Sequence, residues 1–214
     1  AMLALVEAYP EISVSVGVHP NDHDRREPNV EELVNLASHP KNEAIGETGL
    51  DYFRTEGDLD WQRDRFRTHI RAAREAAKPL IRHTRDARED TIESLREEQA
   101  REVGGVMHCF TETWEMARAA LDMNFYISFS GIVTFKSADQ LRAVAERVPD
   151  DRLLIETDSP YLAPVPFRGK PNEPRYVAQV AETIAGLRGV SSGDLAQLSR
   201  ENFYRLFSTA ARAA

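Results

Sequence analysis

Glu43-Ala-Ile-Gly-Glu47 and Pro79-Leu-Ile-Arg-His83 are short, largely apolar runs, and each ends on a side chain able to bind a metal ion. Between them Leu59, Phe66, Ile70, Ala73 and Ala77 fall on one face of a helical pattern. The same alternation extends outward in both directions. Further runs occupy Ile12–Val18, Gly105–Phe110, Phe125–Phe129 and Leu153–Thr157. Helical faces are marked by Ile92, Leu95 and Gln99 and by Leu141, Val144 and Val148. Apolar runs of this length, bounded by turn residues, suit strands buried on both faces. Their alternation with helices predicts an α/β fold with a parallel sheet and right-handed crossovers.

The polar residues at the run ends carry the functional signal. His19, Glu47, His83, His108 and Asp158 each lie at the end of a run or just after it. C-terminal ends of successive parallel strands converge in a (β/α)8 barrel, whose active site lies on that face. An open doubly wound sheet gathers ligands at one switch point instead, so the barrel is the better reading. Six βα units are legible, and a full barrel needs eight. The expectation is therefore an incomplete TIM-type barrel over residues 1–214, a single domain shortened at its N-terminus. Leu3–Tyr9 reads accordingly as the last turns of a helix stopped by Pro10.

Two histidines with two carboxylates make a mixed nitrogen and oxygen donor set for a divalent cation. Singly, each has an ordinary reading. A strand-end histidine is usually a satisfied polar residue, Glu47 could partner a helix N-terminus, and Asp158 could cap a turn. Four at matching strand positions favour a metal.

Composition sets the limits. The chain has 214 residues, 29% of them charged and 42% hydrophobic, with a formal net charge of -8. That balance argues against coating nucleic acid by bulk electrostatics, but leaves room for a local basic groove. Cys109 is the single cysteine, which excludes an internal disulfide and fits a reducing cytoplasm, the expected location. No apolar run approaches a membrane span.

The ordered motifs then become specific. Gly17-Val-His-Pro20, Ala44-Ile-Gly-Glu-Thr-Gly-Leu-Asp51, Ile81-Arg-His-Thr-Arg85, Met107-His-Cys-Phe110 and Glu156-Thr-Asp-Ser-Pro160 follow one another in the chain. Ser130–Lys136, Leu162-Ala-Pro164, Arg168-Gly-Lys170 and Glu201-Asn-Phe203 add to the set. Together they resemble the motifs of the TatD family, which folds as an amidohydrolase-like TIM barrel. Its members are described as metal-dependent nucleases acting at DNA ends and, more broadly, as metal-dependent hydrolases.

The resemblance implies a site of two divalent ions (magnesium, manganese or zinc) held by Glu47, His83, His108 and Asp158. It makes Asp158 and Glu47 the catalytic carboxylates and Glu156 a residue that orients a ligand. His19, Arg85, Lys136, Arg168 and Lys170 become contacts to substrate phosphate, with DNA, or RNA, as the partner. One departure stands out: the family's opening His-x-His pair occurs nowhere in this chain. Lost strands there would also leave an open barrel edge, through which self-association is expected. Three rival readings stay open. These are amide hydrolysis, D-aminoacyl-tRNA deacylation, and an inactive remnant with a binding role.

Overall fold

The computed structural model describes residues 5–9, 11–53, 55 and 57–210. Part of the helix expected over Leu3–Tyr9 lies outside them; Leu5 and Val6 are helical. The chain divides into two compact units, one of residues 1–107, 123–125 and 204–214, the other of 108–122 and 126–203.

The first unit contains β1 (Val14–Val16), β2 (Asn42–Asp51), β3 (Leu80–Arg85) and β4 (Gly105–Met107), with helices α1 (Val30–Ala37), α2 (Asp60–Ala76) and α3 (Arg88–Glu97) between them. Each strand pairs in parallel with the next. All residues of β2 are buried except the half-buried Glu47, as a strand covered on both faces requires. Gly49 has φ +140°, and a Cβ there would lie 2.0 Å from the His83 carbonyl oxygen. Only glycine allows that approach, which keeps β2 against β3 where Gly49 pairs with His83. A capping box starts α1: Asn29 Oδ1 accepts the Glu32 N–H and Glu32 Oε2 accepts the Asn29 N–H.

The second unit holds most of β5 (Phe125–Phe129), then α4 (Trp114–Leu121), α5 (Asp139–Arg147), β6 (Leu153–Ile155), α6 (Val177–Arg188) and the greater part of α7 (Ser192–Leu206). β5 and β6 pair in parallel, Ser128 opposite Leu154. Helix α7 fixes the approach to β6. Ser199 Oγ accepts the Ile155 N–H, and Asn202 Nδ2 donates to the Asp150 and Leu153 carbonyls. The six expected strands are thus all present and parallel to a neighbour, with shorter bounds at β1, β4 and β6 than the apolar runs suggested.

Two helical faces end earlier than their periodicity. Ala77 and Gln99 are not face residues but sit in the left-handed conformation (φ 50° and 55°) just past α2 and α3. Past Ala77 the helix cannot resume, because Pro79 disfavours helical backbone in Lys78 before it.

Helix α2 carries a buried polar stripe: Gln62, Arg65 and His69 are each at most 3% exposed. His69 Nδ1–H donates to the Arg65 carbonyl, and Nε2 accepts the Val18 N–H at 3.0 Å. Burial, only partly offset by the Arg65 carbonyl, pushes the His69 pKa down from 6.5 to about 4. Between those values the unfolded chain binds a proton that the native ring refuses, so stability is lost as pH falls from 6.5 to 4. The loss attributable to His69 is about 3 kcal/mol. Urea unfolding at pH 7 and pH 4 should show a smaller acid loss in His69→Gln by roughly that amount; an unchanged loss would remove His69 as the cause.

Candidate metal centre

In the first unit, His19, Glu47 and His83 bring ligand atoms within 4.8 Å of one another. Glu47 Oε1 is the shared point, 3.1 Å from His83 Nδ1 and 3.4 Å from His19 Nε2. The two imidazoles meet edge to face with centroids 4.7 Å apart. Imidazole nitrogen and carboxylate oxygen are the donor types of a divalent cation such as magnesium, manganese or zinc.

What holds each imidazole decides which nitrogen is available. His83 Nε2 lies 3.0 Å from Oδ2 of Asp51, a carboxylate 1% exposed. With a metal at Glu47, that pairing would keep the proton on Nε2 and leave the Nδ1 lone pair for the ion, the carboxylate–histidine–metal arrangement of many centres. Asp51 is fixed in turn. Asn21 Nδ2 donates to Oδ2, the Phe53 N–H donates to Oδ1, and Gln62 brackets the Asp51 backbone N–H and carbonyl. Burial opposes ionisation of Asp51, but its hydrogen bonds to His83, Asn21 and Phe53 outweigh it and hold the carboxyl below its usual range. Burial likewise pulls His83 down, while Asp51 and Glu47 more than restore it, and the net shift is upward.

His19 is held differently. Its Nδ1 accepts the Asn21 N–H at 3.1 Å, so the neutral ring carries its proton on Nε2, facing Glu47. Arg65 Nη1 donates to the His19 and Asp22 carbonyls, and His69 takes the Val18 N–H. The buried stripe of α2 therefore anchors the backbone on both sides of His19.

The second unit contains a parallel device. His108 Nδ1 lies 2.9 Å from Glu156 Oε1, which leaves Nε2 to carry the lone pair, 3.5 Å from Asp158 Oδ1. Glu156 also accepts the Cys109 N–H at 3.0 Å and the Ser128 hydroxyl at 2.5 Å. The β5–β6 register makes this reachable: Ser128 projects from β5 where the Glu156 N–H still bonds to the Phe129 carbonyl.

Of the residues expected to meet phosphate, Arg85 is exposed with its guanidinium 3.5 Å from the centroid of the Phe53 ring. Arg168 is exposed and lies 3.9 Å over the Phe135 ring. Lys136 and Lys170 are exposed. Sequence reading missed Asp51 and Asn21. Asp51 closes the quoted motif Ala44–Asp51, beyond the apolar run that ends at Glu47, and its signal was that motif's second carboxylate.

A family model described as TatD related DNase matches residues 1–208. The chain is 54% identical over 207 residues to the uncharacterized metal-dependent hydrolase YcfH of Escherichia coli K12, covering 96% of this chain and 77% of that protein. It is 36% identical over 209 residues to the 3'-5' ssDNA/RNA exonuclease TatD of Escherichia fergusonii, covering 95% and 80%. The crystal structure of YJJV, a TatD homolog from Escherichia coli K12, is similar with a TM-score of 0.87 at 28% identity, covering 96% of this chain and 80% of that one. This likeness bears out the barrel-type α/β fold expected from the strand and helix pattern. Among the described residues no helix is long and apolar enough to cross a membrane. The chain belongs to the TatD-related DNase family and is a metal-dependent hydrolase.

Proposed function

We propose that this hydrolase cleaves phosphodiester bonds at the end of a single-stranded nucleic acid, with magnesium, manganese or zinc as its cofactor. The observation that carries the reading is Glu47 Oε1 at 3.1 Å from His83 Nδ1, with His83 oriented by the buried Asp51. The relative named as an ssDNA/RNA exonuclease supports the substrate class.

Glu47 and His83 Nδ1 would hold a metal ion in the first unit, and His108 Nε2 and Asp158 would do so in the second, the two pairs standing 3.1 and 3.5 Å apart. A bound divalent ion would supply Lewis acidity toward the phosphoryl oxygen and neutralise developing charge. The side chains do the rest. Asp158 accepts the proton of the attacking water. Asp51 and Glu156 keep His83 and His108 in the tautomers that ligation needs. His19, with its proton on Nε2, donates to a phosphate oxygen rather than ligating. Arg85, Lys136, Arg168 and Lys170 are phosphate contacts, exposed and cationic.

The test is digestion of end-labelled single-stranded DNA and RNA with manganese, beside an aminoacyl ester and with a chelator control. Stepwise loss of nucleotides, abolished by chelator, is expected. Ester hydrolysis with intact oligonucleotides would replace this reading with a deacylase.

A further inference from the structure

We infer that Tyr161 is a stacking platform for a nucleobase of the substrate, three residues along the chain from Asp158. This rests on the nucleic-acid reading above and names how the base, rather than the phosphate, is held.

Tyr161 is 70% exposed, more than any other large hydrophobic side chain recorded as exposed among the described residues. An exposed ring on a loose loop would mean little, but this loop is tied down. The Tyr161 N–H donates to the Asp158 carbonyl at 2.9 Å. Its own carbonyl accepts from Asn172 Nδ2 at 2.6 Å, and the same amide donates to the Thr157 carbonyl. Asn172 is 4% exposed, and its N–H donates to the Pro160 carbonyl. The Val165 N–H bonds to Thr134 Oγ1, and Gly131 lies so close that a Cβ would meet the Leu162 carbonyl oxygen at 2.0 Å.

Asp158 and Leu162 both hold left-handed backbone, at φ 61° and 57°. Non-glycine residues adopt it at a cost and keep it only where the surroundings impose it, commonly at functional sites. Elsewhere the loop packs its apolar groups. Ala163 is buried, and Phe167 stacks on Tyr176 with centroids 3.9 Å apart. Of the loop's large apolar side chains, Tyr161 and Val165 are held outward, and of these two Tyr161 is the aromatic one.

The surroundings choose the occupant. Residues 159–172 include Arg168 and Lys170 and no acidic side chain. An aromatic face on a loop that also carries cations is the combination by which single strands are gripped without sequence preference, the base on the ring and the phosphate on the charge.

The experiment titrates the protein, with manganese, into a single-stranded oligonucleotide bearing 2-aminopurine as its last base and nuclease-resistant phosphorothioate linkages. Wild type should quench the fluorescence. Tyr161→Ala should weaken binding by about 5- to 100-fold and lose the quench, while Tyr161→Trp keeps both and shows that the loop folds. An oligonucleotide with an abasic end should bind wild type and Tyr161→Ala equally. Equal binding of the 2-aminopurine strand by wild type and Tyr161→Ala, or no binding by wild type, would overturn the inference. Quenching through Tyr161 without any digestion of DNA would instead remove the nuclease reading and leave the platform standing.

Discussion

Glu47→Gln should remove most of the metal-linked stabilisation of this protein. Oε1 of Glu47 is the one atom that both His83 Nδ1 and His19 Nε2 approach, at 3.1 and 3.4 Å. Glutamine keeps the shape, so β2, buried on every other residue, is undisturbed. What goes is the negative charge that offsets a divalent ion. Loss of a mere supporting partner of a ligand weakens metal binding about 10- to 100-fold, so loss of the central carboxylate should cost about a hundredfold or more. At a manganese concentration a hundred times the wild-type Kd, binding adds about 2.7 kcal/mol to wild-type stability. A variant a hundredfold weaker would gain about 0.4 kcal/mol at the same concentration. For a protein of this size that contrast is a melting shift of about 5–10 °C in wild type against about 1–2 °C in the variant. Thermal unfolding with and without manganese reads it, and equal shifts in the two proteins would exclude Glu47 as a ligand.

The fold was legible because its signals are local. Phe125–Phe129 is a strand with the bounds that its apolar run implies, and Leu141, Val144 and Val148 are buried on and just after α5 as their spacing suggests. The strand-end placement was only partly legible: β2 runs on to Asp51 past Glu47 and β3 to Arg85 past His83, because the sheet continues through polar residues that no apolar run marks. The supports of the site were not legible. His69, Arg65 and Gln62 look like ordinary polar positions of a helix, yet they face inward and bond to Val18, His19, Asp22 and Asp51. His69 and Val18 are separated by 51 positions, and no periodicity announces such a bond. Such outer partners depend on packing between elements, which no local pattern encodes. Asp51 lies between these cases: it ends its strand, but its pairing with His83 follows only from the β2–β3 register, which Gly49 permits.

Asp158→Asn should lower the rate of DNA-end digestion by about 10²–10⁴-fold, the range for loss of a positioned general base. The variant is a clean one for a backbone reason. Asp158 holds φ 61°, a left-handed conformation that asparagine tolerates as well as aspartate does. The Tyr161 N–H to Asp158 carbonyl bond involves only backbone and survives the change. The amide is nearly the size of the carboxylate but cannot take a proton from water. Glu156→Gln supplies the contrast. Glu156 acts through His108, whose Nδ1 it meets at 2.9 Å, and through the Cys109 N–H and Ser128 hydroxyl. Its loss should cost about 10- to 100-fold, expressed largely as weaker metal binding. Saturating manganese should therefore recover much of the Glu156→Gln rate and little of the Asp158→Asn rate. The measurement is single-turnover digestion of end-labelled single-stranded DNA across a manganese titration. If Asp158→Asn digests at the wild-type rate, or regains it at high manganese, Asp158 does not accept the proton of the attacking water.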